Sequence, residues 1–250
     1  MLLYSSIVDT SPYLSKTMLF RQLFDPETST YTYLIADLET KTAALVDPVL
    51  EQVERDQKLL TELDLTLGYC LETHIHADHI TGAGKLREKI GCENIVPFGA
   101  NAACANKKMQ PGDVLQFGSV VIEAIATPGH TDSHLAYLVN KTHLLTGDSL
   151  LIRGCGRTDF QSGSAAVLYD SITKNLWTLP ETTLVYPGHD YHGQTVSTIG
   201  EEKKFNLRLV GRSRSEFIEL MGNLNLPNPQ KIMEAVPANQ RCGNVAMTTL

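Results

Sequence analysis

Residues Thr73 to His79 read Thr-His-Ile-His-Ala-Asp-His, which puts three imidazoles and a carboxylate within six positions. Neutral imidazole and carboxylate are ligands for borderline first-row metals, and hydrogen bonds from neighbouring groups fix which ring nitrogen is bare. A regular strand or helix this short could not turn several of these groups toward one point, whereas a loop can. The ordinary alternative is a solvated polar turn with incidental histidines. Four ligand-type residues packed this closely argue against it.

Three further places repeat one grammar: an apolar strand, a glycine that frees the backbone, then a ligand-type residue. Thr127-Pro-Gly-His130 follows Val120 to Ala126, Thr146-Gly-Asp148 follows Leu144 and Leu145, and Tyr186-Pro-Gly-His189 follows Leu184 and Val185. Singly, a Gly-His is more often a turn and a Gly-Asp more often a helix N-cap. After a His-x-His-x-Asp-His loop they become candidates to complete a metal site, since strand ends on one side of a sheet can converge.

The elements that must position these groups follow from apolar periodicity and turn residues. Met18 to Phe24 and Tyr31 to Asp37 read as a hairpin, and Thr42 to Val46 as a third strand. Val49 to Leu63 has helical spacing. Leu67 to Glu72 is a strand leading into the histidine loop, and Gly82 to Ile90 a helix leaving it. The loop is thus expected at the carboxyl end of a strand, where α/β proteins place their sites. A short strand follows around Ile95, and a hairpin over Asp113 to Ala126 pivots on Gly118. Leu135 to Val139 and His143 to Thr146 are strands, Ala165 to Leu179 a helix, and Thr183 to Tyr186 a strand. From about residue 200 the chain is mostly helix and loop, interrupted by Pro227, Pro229 and Pro237. No linker divides the chain, so one domain over 1–250 is expected: two packed sheets with helices outside.

The chain has 250 residues and a net charge of −7, which argues against nucleic acid or an anionic membrane as a partner. No apolar run approaches the roughly 20 residues of a membrane span. Met1 to Lys16 lacks arginine and carries Asp9, making a poor transit peptide, and it has no signal-peptide core. Five cysteines, an odd number with no CxxC pair, favour free thiols and a reducing compartment. Cytoplasm is the expectation, or the mitochondrial matrix in a eukaryote.

The HxHxDH loop followed by His, Asp and His resembles the metallo-β-lactamase superfamily, which implies an αββα sandwich with its metal site at one edge. Fold alone leaves the chemistry open. Finer stretches are similar to the persulfide dioxygenase branch. These are Asp148 to Phe160 (with Arg153-Gly-Cys-Gly-Arg157-Thr-Asp-Phe160), Tyr186 to Gly193, Met221 to Pro227 and Val236 to Gly243. Asp132-Ser133-His134 departs from that branch, where small or thiol residues are expected, and puts local substrate contacts in question.

That resemblance implies one Fe(2+) per chain on His74, His130 and Asp148. It also implies glutathione persulfide and O2 as partners, sulfite and glutathione as products, and a place in sulfide detoxification. A homodimer is compatible with it. Asp78, His79 and His189, the second metal site of hydrolase relatives, are expected beside the ligands or as a vacant site, and His76 likewise. Arg153 and Arg157 are candidates for the glutathione carboxylates, with a structural ion pair as the alternative. Tyr191 is a candidate hydroxyl donor to substrate or oxygen, with a core tyrosine as the alternative, and Cys155 either a packing residue or a modifiable thiol. His134, His143 and His192 read as packed or solvated. The competing enzyme is a dinuclear thioester hydrolase of the glyoxalase II type, and a non-catalytic metal- or sulfur-binding protein is the third reading.

Overall fold

The computed structural model describes residues 17–227 and 231–244. Expectations for Met1 to Lys16 and for Pro229 therefore lie outside the described residues. The N-terminal sheet comprises β1 (Met18–Asp25), β2 (Thr30–Asp37), β3 (Thr42–Val46), β4 (Thr66–Leu71), β5 (Glu93–Pro97) and β6 (Lys107–Met109), adjacent in that order. The second sheet contains β7 (Val114–Phe117), β8 (Val120–Ala126), β9 (Leu135–Val139), β10 (His143–Gly147), β11 (Leu184–Pro187) and β12 (Ser197–Thr198), again in sequence order. Hairpins make β1–β2–β3 and β7–β8–β9–β10 antiparallel, whereas helical crossovers make β3–β4–β5 and β10–β11 parallel.

Alternation decides which faces meet. Val120, Ile122 and Ala124 of β8 are buried against Tyr33, Ile35, Val46 and Leu71 of the facing sheet, forming the inter-sheet core. The other faces are closed by helices. α1 (Val53–Glu62) and α2 (Ala83–Ile90) cover Leu34, Leu45 and Cys70. On the opposite side, α3 (Ala165–Ser171), α4 (Ile199–Phe205) and α5 (Arg214–Gly222) bring Leu168, Ile199 and Phe217 onto Leu138, Leu144 and Val185. This is the expected αββα sandwich.

Three local expectations change. The helix expected over Ala165 to Leu179 is α-helical only to Ser171 and continues as a π-helical turn over Ile172–Leu176. Pro237 lies inside α6 (Ile232–Asn239) rather than breaking it, in a helix of only 8 residues where few backbone bonds are forfeited. Cys104 and Cys242, 138 residues apart, form a disulfide. That overturns the expectation of five free thiols, because an odd count says nothing about two cysteines brought together by the fold; Cys70, Cys92 and Cys155 are free. No helix of the described residues is long and apolar enough to cross a membrane.

Candidate active site

The histidine loop leaves the carboxyl end of β4 and is held from behind by Asp47. That residue ends β3 in a left-handed conformation (φ 52°), which turns its carboxylate toward the loop. Thr73 donates its N–H to Asp47 Oδ1 (2.7 Å) and its hydroxyl to Asp47 Oδ2 (2.8 Å). With its proton committed there, Thr73 Oγ1 accepts from His74 Nδ1 at 2.9 Å, which leaves Nε2 of His74 bare. Burial, with the neighbouring histidines, pulls the His74 pKa far down, so the ring is neutral.

His130, on the loop after β8, donates Nδ1–H to the carbonyl of Arg157 (2.7 Å), which leaves its Nε2 bare as well. That nitrogen lies 3.5 Å from Asp148 Oδ2. Asp148 follows β10, and its Oδ1 is buried without a hydrogen-bond partner, 3.6 Å from His189 Nε2. One ligand atom from each of His74, His130 and Asp148 falls within 4.8 Å of the others. Two bare imidazole nitrogens and an orphaned carboxylate oxygen form a donor set that suits a divalent first-row cation.

The remaining loop residues form two neighbouring groups. His76, Asp78 and His79 also place ligand atoms within 4.8 Å. His79 Nδ1 lies 2.8 Å from Asp78 Oδ2, its Nε2 is buried and unpartnered, and His189 Nε2 is 3.5 Å from the same Asp78 oxygen. The His79 and His189 rings outweigh burial and hold the Asp78 carboxyl well below its usual range. His76 turns its Nε2 to Asp47 Oδ1 (3.1 Å) and Glu72 Oε2 (3.3 Å). Burial disfavours its charge, but Asp47 and Glu72 prevail and raise its pKa well above normal. Its Nε2 is thus engaged by two buried carboxylates, while its Nδ1 is buried without a hydrogen-bond partner.

A cavity of 690 Å³ is lined by His130 and Asp148 of the first group together with Asp78 and His189, and by the cationic side chains Arg157, Arg208 and Lys231. Tyr191 is at the rim, 68 % exposed, its ring parallel to His189 at 6.0 Å. Arg157 faces the cavity but gives Nε and Nη2 to Asp159 (2.7 and 2.8 Å) and Nη1 to the carbonyl of Pro227. Arg153 is not a wall residue. It pairs with buried Glu202, with Glu201 (3.1 Å) and with Ser197 Oγ (3.0 Å), the structural ion pair that stood as the alternative to substrate contact. Cys155 is buried against Met221, and burial pushes its thiol up to about 11 despite Arg208 beside it, so a packing role fits better than a reactive one.

Several residues of the site carry no local signal in the sequence. Asp47 directly follows a strand and precedes Pro48, and nothing local marks its carboxylate as the loop's anchor. Arg208 and Lys231 are single charges whose spacing carries no pattern. Asn239 of α6 donates Nδ2–H to the carbonyls of His76 (2.9 Å) and His79 (2.8 Å) and accepts the N–H of Thr81 (2.8 Å). Only the fold reveals that contact. His134 is buried among the ligands, whereas His143 stacks on Tyr186 away from them and His192 is exposed.

The sequence profile of the metallo-beta-lactamase superfamily matches residues 25–97 and 106–189, more than half of the chain. Over 228 residues the chain is 50% identical to a human protein named persulfide dioxygenase ETHE1, mitochondrial, covering 90% of this chain and 89% of that protein. It is 31% identical over 237 residues to a probable hydroxyacylglutathione hydrolase of Schizosaccharomyces pombe, with 82% of this chain and 90% of that protein covered. Among solved structures, ETHE1 from Myxococcus xanthus superposes with a TM-score of 0.88 at 56% identity, covering 91% of this chain and all of that one. The sandwich, the four strand-end loops and these similarities agree: the chain belongs to the metallo-β-lactamase superfamily, within its persulfide dioxygenase branch.

Proposed function

We propose that the protein is a persulfide dioxygenase that oxidises the outer sulfur of glutathione persulfide with O2, using one Fe(2+) per chain. The observation that carries this reading is the grouping of two bare imidazole nitrogens and one orphaned carboxylate oxygen, with His130 and Asp148 of that group lining an open cavity. His74, His130 and Asp148 would hold the metal as a two-histidine, one-carboxylate set. Iron held by those residues would supply a binding site for the substrate sulfur and the electrons that activate oxygen. The net reaction is glutathione persulfide plus O2 plus water giving glutathione plus sulfite, with two protons released.

The chain's own groups do the rest. Arg208 and Lys231, with the fixed guanidinium of Arg157, present positive charge to the glutathione carboxylates. Tyr191 at the rim is placed to close over bound substrate and offer its hydroxyl. His76, Asp78, His79 and His189 would lie beside the ligands without holding the iron, His76 with its Nε2 given to Asp47 and Glu72, and Asp78 and His189 on the lining of the same cavity. Glutathione as carrier fits a compartment that contains it, the cytoplasm or the mitochondrion named for the human relative.

The second reading, a dinuclear thioester hydrolase, draws on the His76, Asp78 and His79 group and on the hydrolase relative. Oxygen separates the two. With iron-loaded protein, glutathione persulfide should drive O2 uptake with sulfite formed in step, and both should stop under argon. Metal analysis should give about one iron per chain, and Asp148→Asn should lose it while staying folded. Rapid cleavage of S-lactoylglutathione under argon, with no persulfide-dependent O2 uptake, would reverse the assignment.

A further inference from the structure

His134 was expected to be a packed or solvated histidine, at a place where the chain departs from its branch. It is neither on the cavity wall nor in solvent. Its ring is 1% exposed and lies nearly parallel to His74, 4.9 Å away at 22°. Its Nε2 accepts the backbone N–H of Asp148 at 3.1 Å, and its Nδ1 is 2.8 Å from the hydroxyl of Thr127. A backbone N–H can only donate, so Nε2 must be the bare nitrogen and Nδ1 must carry the proton that Thr127 Oγ1 accepts. One side chain therefore touches two of the three proposed ligands, His74 by stacking and Asp148 through its backbone, and is fixed by Thr127 on the third loop. The fit leaves no slack, since a Cβ added at Gly147 would lie 2.7 Å from His134 Nε2 and 2.6 Å from Thr73 Oγ1.

We propose that His134 is a positioning residue for the metal centre, a neutral buckle whose single tautomer, set by the Asp148 N–H and held by Thr127 as acceptor, aims Asp148 and backs the ring of His74. The proposal rests on the metal reading of the site and not on which reaction the metal performs. A histidine there that merely filled space would need neither ring nitrogen in a fixed role. Partners behind metal ligands typically account for about 10–100-fold in metal affinity.

The test uses Co(2+) as a spectroscopic probe, with affinity read from competition with a chelator and geometry from the visible absorption bands. The variants are His134→Phe, His134→Gln, Thr127→Val and Thr127→Ser. His134→Phe keeps a ring against His74 but leaves the Asp148 N–H without an acceptor. His134→Gln can place its amide oxygen where Nε2 stood. Thr127→Val removes the hydroxyl that accepts the Nδ1 proton and holds the ring in place, without touching a ligand, and Thr127→Ser restores it. Affinity should fall about 10–100-fold in His134→Phe, with altered bands, and return to within about threefold of wild type in His134→Gln. Thr127→Val should weaken binding and Thr127→Ser should not. Should His134→Phe fail to fold, the Thr127 pair still decides, because Val and Thr differ little in shape. Equal affinity across all four variants would overturn the proposal, as would His134→Gln falling as far as His134→Phe or Thr127→Val matching Thr127→Ser. Wild-type protein that bound no Co(2+) would overturn the metal reading itself and this proposal with it, a result distinct from the other three.

Discussion

Asp47 does more for the candidate centre than any other residue outside it, and it does so through protons. Its two oxygens take the N–H and hydroxyl of Thr73 and face His76, so its charge determines which way three groups point. Asp47→Asn keeps the shape but presents amide hydrogens where acceptors are needed. It should cost about 10–100-fold in metal affinity, measured by chelator competition, with a folded far-UV CD spectrum retained. Lys231 belongs to a different category. It lines the cavity, and its ammonium pairs with Glu27 at 2.8 Å on a largely exposed surface, a contact of small structural worth. Lys231→Gln should raise KM for glutathione persulfide up to about tenfold, the equivalent of about 1.4 kcal/mol, with kcat and iron content unchanged. An equal fall in kcat and kcat/KM would instead place Lys231 near the reacting atoms. The ligand-type residues were legible in the sequence because imidazoles cluster rarely. Asp47 and His134 were not, since their roles depend on which atoms the fold sets opposite them.

At the scale of elements, the strand-end turns carry the site because they bring backbone close to ligand. Gly188, after β11, lies so near Asp148 that an added Cβ would sit 2.6 Å from Oδ1. Gly188→Ala should therefore displace that carboxylate, and metal content should drop while the sandwich stays folded, as tested by metal analysis beside thermal unfolding. The buried α1 carboxyl of Asp56 gives a pH-dependent expectation. Burial raises its pKa from 3.8 to about 6 against the pull of Arg55. The native state therefore binds the proton more tightly than the unfolded chain, so Asp56 destabilises as pH rises from about 4 to 6 and adds no further penalty above that. Relative to Asp56→Asn, wild-type Tm should fall across that window and run parallel beyond it; parallel curves throughout would mean that the carboxylate is already compensated. Most elements were readable, because β2, β3, β8 and β9 carry long apolar or alternating runs. β6 was missed: it has three residues, two of them exposed lysines, and only pairing with β5 makes it a strand. β12 has two residues and carries no period.

For the molecule as a whole, the C-terminal segment closes what the N-terminal half begins. The Cys104–Cys242 disulfide ties the loop beyond β5 to the turn after α6, and a link across 138 residues restricts the unfolded chain most of all. Reduction, or Cys104→Ser, should lower stability by about 2–4 kcal/mol, read from urea unfolding with and without reductant. Reductant should have no further effect on the variant. The same segment supplies Asn239, whose amide ties the carbonyls of His76 and His79 to the N–H of Thr81. Those partners are separated by 158 residues of chain between Thr81 and Asn239. At synthesis rates of about 5–20 residues per second, the histidine loop leaves the ribosome on the order of ten seconds before its clamp. Throughout that interval the growing chain already carries the imidazoles but not the residue that fixes their backbone. The histidine loop is thus written early and fixed late, and a nascent chain arrested after Asp148 but before Asn239 should exchange metal more freely than the completed one.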